Sequence, residues 1–195
     1  MNLFRYAAIV AVSAVSLVAS DDALQTFHAK YRGLNTISFV FKGQQGLSGS
    51  ILAKRGGSYR ITSSDRTVVS DGKTVWNATS STKTVIVSDY KPTSTDVSIE
   101  RVFFEVMSIY RSSISSQNSS GIVVRLDAPS AQTQIAGISS VELSCTPAFL
   151  VKGVRIVTNG SASEFSISKF VANTATKSSQ FRFAVPDDWQ MIDIR

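Results

Sequence analysis

The sequence predicts an α+β fold dominated by β structure: a large antiparallel sheet with one apolar face, covered by two helices. Three observations lead there. Apolar and polar residues alternate through 36–90 and much of 122–185, the period of half-buried strands. Two other stretches, 23–33 and 97–111, repeat their apolar residues at helical spacing. Turn signals such as Asp71-Gly72 and Asn159-Gly160 separate the alternating runs closely enough for hairpins.

The N-terminus comes first. Arg5 precedes a mostly apolar run of thirteen residues, 7–19, short of the roughly twenty that a spanning helix needs. Val18-Ala19-Ser20 then supplies small residues ahead of Asp21-Asp22. Residues 1–20 therefore read as a cleaved secretory signal peptide, with a retained N-terminal anchor as the alternative. No cysteine lies near the cleavage point to take a lipid. The remainder, 21–195, is expected to be one domain, long enough for a sizeable core.

Within that domain, Leu24, Phe27, Tyr31 and Leu34 form the stripe of a first helix over 23–33, with Asp21 or Asp22 as N-cap and Gly33 at its end. Ile37, Phe39 and Phe41 then share one face of a strand. The 47–90 stretch continues as a meander: Leu47, Gly49, Ile51 and Ala53 point one way, followed by Tyr59 and Ile61, then Val68-Val69, Val75-Trp76, and Val85 with Val87. Residues 92–96 break the sheet. A second helix over 97–111 carries Ile99, Val102, Phe103, Val106, Met107 and Tyr110 on one face, widened by Phe104 and Ile109. A Ser/Asn-rich loop is expected up to Gly121. Strands follow around Ile122/Val124/Leu126, Val141/Leu143/Cys145, Val154/Ile156 and Phe165/Ile167, with a last one at Phe181/Phe183/Val185 ended by Pro186. Roughly ten strands and two helices form the simplest layered solution.

Composition excludes several function classes. The net charge is +6, or +5 without Arg5, and the basic residues are scattered, whereas a nucleic-acid binder clusters them with aromatics. Cys145 is the only cysteine, so no intrachain disulfide forms; on the apolar parity of its strand it reads as an inert buried thiol. His28 is the sole histidine, which rules out metal sites built on several His or Cys ligands. There is no Gly-x-Ser-x-Gly elbow, and Gly43-Gln44-Gln45-Gly46 lacks the Lys-Ser/Thr ending of a phosphate loop. Asp187-Asp188, and Asp71 with Asp65, fall at turns and read as solvated acids. The sequons at Asn77, Asn118 and Asn159 are what a Ser/Thr-rich composition yields by chance.

The order Lys54-Arg55, Tyr59-Arg60-Ile61 and Val69-Ser70-Asp71-Gly72-Lys73-Thr74-Val75-Trp76 resembles the core motif of the LolA family of outer-membrane lipoprotein carriers. Phe181-Arg182-Phe183-Ala184-Val185-Pro186, followed by Ile192-Asp193, is similar to that family's closing segment. Gly56 stands where the family usually has Pro, and Ile61 where an aromatic is common. The resemblance implies an incomplete, half β-barrel with the two helices as a lid, and an apolar cavity between them for acyl chains. By position it assigns Tyr59, Ile61 and Val68 to the cavity lining. The apolar faces that would complete it are Phe39, Phe41 and Ile51 on the sheet and Val102, Phe103, Val106 and Met107 on the second helix. Arg55 matches the arginine that holds the lid when the cavity is empty.

The implied protein is a periplasmic, monomeric carrier without catalytic activity or cofactor. Its expected partners are acylated lipoproteins, an inner-membrane ABC-type lipoprotein-releasing transporter and, where one exists, an outer-membrane acceptor. Nucleic acid is not among them. Two other functions remain open on the residues: a binder or sensor of another amphiphile on the same fold, and an exported structural β-protein with an ordinary core. A lipid-processing enzyme is the least supported reading.

Overall fold

In the computed structural model, which describes residues 14–92 and 99–195 (14–20 as helical backbone alone), the alternating runs pair into one open sheet of twelve strands. Helix α1 (Ala14–Tyr31) leads into a meander of β1 (Thr36–Gly43), β2 (Ser48–Lys54), β3 (Ser58–Ser63), β4 (Arg66–Asp71), β5 (Thr74–Thr79) and β6 (Thr84–Asp89). The second helix, α2, is three joined turns: Ile99–Arg101, a π segment Val102–Val106, and Met107–Ile109. A second meander follows, of β7 (Arg111–Asn118), β8 (Gly121–Asp127), β9 (Ile138–Cys145), β10 (Val151–Thr158) and β11 (Ser161–Ala172), and β12 (Gln190–Asp193) comes last. The spatial order is β12-β6-β5-β4-β3-β2-β1-β11-β10-β9-β8-β7. Every neighbouring pair is antiparallel except β12 with β6.

The mainly antiparallel sheet and its two helices are as expected, but several boundaries are not. Helix α1 already runs from Ala14, so neither Asp21 nor Asp22 caps it; Gly33, at φ +78°, turns the chain after it. Residues 1–13 of the expected signal peptide, and 97–98 of the expected second helix, lie outside the described residues. Helix α2 stops at Ile109, and Tyr110 is extended at ψ 150°. Its phenol donates to the Ile138 carbonyl and accepts the Ile135 N–H at 2.9 Å, tying the helix exit to the start of β9.

The expected Ser/Asn loop is the edge strand β7, which pairs along β8 with a shift between Ile114 and Ser116. An edge strand half in water needs few apolar residues, so it leaves no alternation to read. Conversely, 181–185 is not a strand. Phe183 and Val185 pack, with Trp189, on a small cluster of Ala78, Val85 and Val87 beside Trp76. Strand alternation puts those residues on the sheet face opposite Ile61 and Val68, since Arg60 pairs with Val69, Val69 with Trp76, and Trp76 with Val87. The C-terminal segment is thus a strap across the outer face, ending in the parallel strand β12.

The main core lies on the other face. There Phe27 and Tyr31 of α1, with Val102, Phe103, Val106 and Met107 of α2, bury against Phe39, Phe41, Ile51, Leu126, Leu143 and Ile156 of the sheet. Among the described residues, no helix is long and apolar enough to cross a membrane.

Candidate functional site

The space between α2 and the sheet is built from aromatic rings. Phe103 projects from the π segment to ring-centroid distances of 5.6 Å from Phe39, 5.2 Å from Phe170 and 6.3 Å from Tyr31. Phe39 stacks on Phe170 at 5.9 Å with an interplanar angle of 14°. Phe170 reaches this face because β11 carries an extra residue opposite Ser38–Val40, with Lys169 at φ +53°. Such a bulge flips the parity of the strand beyond it. Phe170 therefore joins Ile167 on the helix side although simple alternation would send it out, and that is why the sequence pattern misses it. Tyr31 does more than extend a helix stripe. Its phenol donates to the Phe149 carbonyl at 2.8 Å and accepts the Val151 N–H at 3.0 Å, docking α1 on the β9–β10 turn. Burial pushes that phenol up to about 12.

Of the sequence-predicted lining residues, Phe39, Phe41, Ile51, Val102, Phe103, Val106 and Met107 are buried in this one cluster, and Tyr59 and Ile61 pack on its margin. Val68 lies further out, half-buried. Pairing shows how these positions connect. Ile51 faces Ile61, Ile61 faces Val68, Val68 faces Asn77, Asn77 faces Ile86, and Ile86 faces Ile192. All six are on the helix side of six consecutive strands, and exposure climbs from 3% at Ile51 to 40% at Ile86 and Ile192. This row, apolar except for Asn77, whose Oδ1 accepts from Arg66 Nε at 2.7 Å, thus forms a trough that begins beneath α2 and runs out into solvent over β4–β6 and β12. On the outer face the C-terminal strap packs on β5 and β6.

Arg55 follows β2 and reaches across to α2. Its Nε donates to the Leu34 carbonyl at 3.0 Å and its Nη1 to the Phe104 carbonyl of α2 at 3.2 Å. The guanidinium also lies 5.4 Å from the Phe104 ring centroid, a cation–π contact. One side chain therefore joins the β2 end, the α1–β1 connection and the π segment. π segments are frequent at functional sites because they widen a helix turn and reposition its carbonyls.

Helix α2 also buries an acid. Glu100 is 5% exposed. Burial lifts its carboxyl from the ordinary 4.5 to about 7, against the opposing pull of its own amide and Arg101, while Glu105 adds to the rise. Arg101 and Glu105 form an i,i+4 ion pair at 2.9 Å. Because the folded-state value lies above the unfolded one, the folded protein holds the extra proton between about pH 4.5 and 7. Stability is then greatest at the acid end of that window and falls as pH rises through it. Glu100→Gln is expected to flatten this dependence and to raise the melting temperature at pH 8. An acid held neutral this far above its ordinary range corresponds to a gain on the order of 3 kcal/mol. Thermal melts of both proteins at pH 5 and pH 8 check it; parallel curves would show that Glu100 does not titrate in the fold.

The residues that the sequence offered for chemistry each have structural partners or burial. His28 Nε2 shares a 2.7 Å hydrogen bond with Ser112 Oγ of β7. Cys145 is buried and its thiol is pushed up to about 12 by that burial. Asp65 accepts from the amide and hydroxyl of Ser81, closing the β5–β6 turn. Among the described residues, no group of three His, Cys, Asp or Glu could hold a metal ion.

Comparison with known proteins bears on this arrangement. A family model described as outer membrane lipoprotein carrier protein LolA matches residues 15–184. No curated protein matches the chain. Among solved structures, an uncharacterized conserved protein from Thermus thermophilus shares the fold at TM-score 0.53 and 14% identity, over 89% of this chain and 98% of that one. A domain from Vibrio parahaemolyticus, provisionally assigned to outer membrane lipoprotein sorting, is similar at TM-score 0.44 and 9% identity, over 84% and 96% of the two chains.

Proposed function

This chain belongs to the LolA family of outer membrane lipoprotein carriers, and from that membership we propose that it ferries lipoproteins by sheltering their acyl chains between α2 and the sheet. The family is one of periplasmic carriers rather than enzymes. In the proposed cycle residues 1–20 are removed on export, and 21–195 act as a single monomeric domain. An inner-membrane ABC-type transporter loads the domain, which unloads toward the outer membrane, on an acceptor where one exists.

The observation that carries the proposal is the Arg55 latch on α2 beside this mostly apolar trough. A lipoprotein's acyl chains hold it in a bilayer by about 0.8 kcal/mol per methylene, or tens of kcal/mol for some forty methylenes. Affinity for a carrier does not match that, so loading needs an external energy source and the carrier needs only to shield. Release in turn requires that the empty, closed state be preferred modestly. A latch of two charge-assisted hydrogen bonds, each about 1.5–3 kcal/mol, has the right scale. Phe39, Phe103, Phe170 and Tyr31 fill the covered half of the space in the closed state. Arriving chains enter along Val68 and Ile86 and displace the α2 rings as the lid lifts.

The direct test incubates inner-membrane vesicles bearing a labelled lipoprotein and the transporter with residues 21–195 and ATP. The expected result is an ATP-dependent, one-to-one soluble complex. Failure to release anything from competent vesicles would sink lipoprotein carriage, and lipid extraction of the purified protein would then ask whether another amphiphile occupies the trough.

A further inference from the structure

Three distant stretches of the chain bring unpaired cations together on the outer face. Lys54 ends β2, Lys73 sits in the β4–β5 turn, and Arg182 follows the short helical turn Ser178–Phe181. With the hydroxyls of Ser58, Thr176 and Ser178 they line a cleft of about 300 Å³ floored by Phe181, the lower end of ligand-site sizes. Among the described residues, none of these three cations forms an ion pair, and none of their charged groups donates to a protein acceptor.

The cleft is held in shape independently of any ligand. Arg60 Nε and Nη2 donate to the Gln180 and Arg182 carbonyls, both at 2.8 Å, and pin the C-terminal segment against β3. Gln180 Oε1 accepts the Lys177 N–H at 2.7 Å. The β2–β3 and β4–β5 turns close on each other at Gly72, φ +87°, where a Cβ would stand 2.9 Å from the Gly56 carbonyl oxygen. The single acid in the lining, Asp71, is engaged in its own turn: its Oδ1 accepts the Lys73 and Thr74 N–H groups, each at 2.9 Å. Burial alone would raise this carboxyl, but those amides and the Arg182 charge outweigh it and leave it below the usual range. Three cations against one committed carboxylate leave an excess of two positive charges.

We propose that this cleft binds a phosphate group, free in solution or carried on a lipid headgroup. A guanidinium fork, two ammonium groups and three hydroxyl donors suit a tetrahedral, multiply acceptor-bearing anion better than a planar carboxylate. The site is on the face opposite the trough, so it does not depend on acyl-chain binding.

The test titrates residues 21–195 with inorganic phosphate, following backbone amide shifts against a chloride control at matched ionic strength. In a second arm the protein is floated with phosphatidylglycerol vesicles. Both arms are run on Lys73→Gln, Arg182→Gln and, as a charge-matched control outside the cleft, Lys152→Gln. Saturable shifts at residues 72–74 and 177–182, weakened at least fivefold by the two cleft variants and not by Lys152→Gln, establish the site for free phosphate. If free phosphate fails while vesicle binding falls at least fivefold in the cleft variants alone, the phosphate is a headgroup's. If neither arm shows binding, or all three variants lose it equally, the proposal is overturned.

Discussion

Replacing Arg55 with Leu is expected to leave the protein folded yet slow delivery of its cargo on the order of a hundredfold. The side chain contributes two hydrogen bonds to carbonyls on separate elements, Leu34 and Phe104, and a contact with the Phe104 ring. Bonds from a charged donor are worth about 1.5 kcal/mol at the low end, the end to use for an exposed arginine, and the ring contact adds about 0.5 kcal/mol. Leucine keeps most of the packing on Phe104, so the closed, empty state loses about 3 kcal/mol net, on the order of a hundredfold in the closing equilibrium. Loading, driven from outside, should be little affected. The measurement is transfer of labelled lipoprotein from preformed complex to acceptor membranes. An unchanged transfer rate would remove Arg55 from the mechanism and leave it a strand-end contact.

Phe103→Ala carries the largest stability effect. Phe103 is 3% exposed, and its ring is the one that α2 inserts among Phe39, Phe170 and Tyr31. Truncating a buried phenylalanine costs about 3–5 kcal/mol, or about 10 °C in melting temperature for a domain of this size. The same truncation leaves an apolar void under the lid, and such voids stay dry and take apolar ligands. A myristoyl amphiphile below its critical micelle concentration should therefore raise the melting temperature of Phe103→Ala more than that of the natural protein. Equal or absent rescue would mean that the space beneath α2 is core and that acyl chains bind only in the open trough.

The sequence disclosed the sheet best where burial is one-sided. Along β1, β2, β8, β9 and β10 every second residue meets the helices or solvent, so Ile37, Phe39 and Phe41, or Val141, Leu143 and Cys145, announce the strand and its inner face. The Asp71-Gly72 turn was equally legible, because Gly72 takes a positive φ and the Asp71 carboxylate caps the turn amides. Arg55 came from a motif, and its bond to the Phe104 carbonyl needed the fold. What stayed hidden lacked a local signature. β7 pairs through a serine-rich backbone, and β12 is specified by the parallel edge of β6. Phe183 and Val185 alternate because they pack on Trp76 and its neighbours, without joining the ladder. The Lys169 bulge decides the direction of Phe170, and nothing in the alternation reveals it.

The sheet order also dictates when this protein can finish folding. Strands β1–β6 form a local meander complete by Asp89, yet both of its edges wait for the far end of the chain. β1 is covered only when β11 arrives, pairing Ile37 with Ala172, and β6 only when β12 does, pairing Ile86 with Ile192. Until then the N-terminal half presents two bare strand edges, the kind of surface that recruits other chains. Closing loops that long is entropically slow and delays the reward of the contacts they make. A nascent chain with this topology therefore remains uncommitted until residues 190–193 are made. Threading through a narrow translocation channel requires that same unfolded condition.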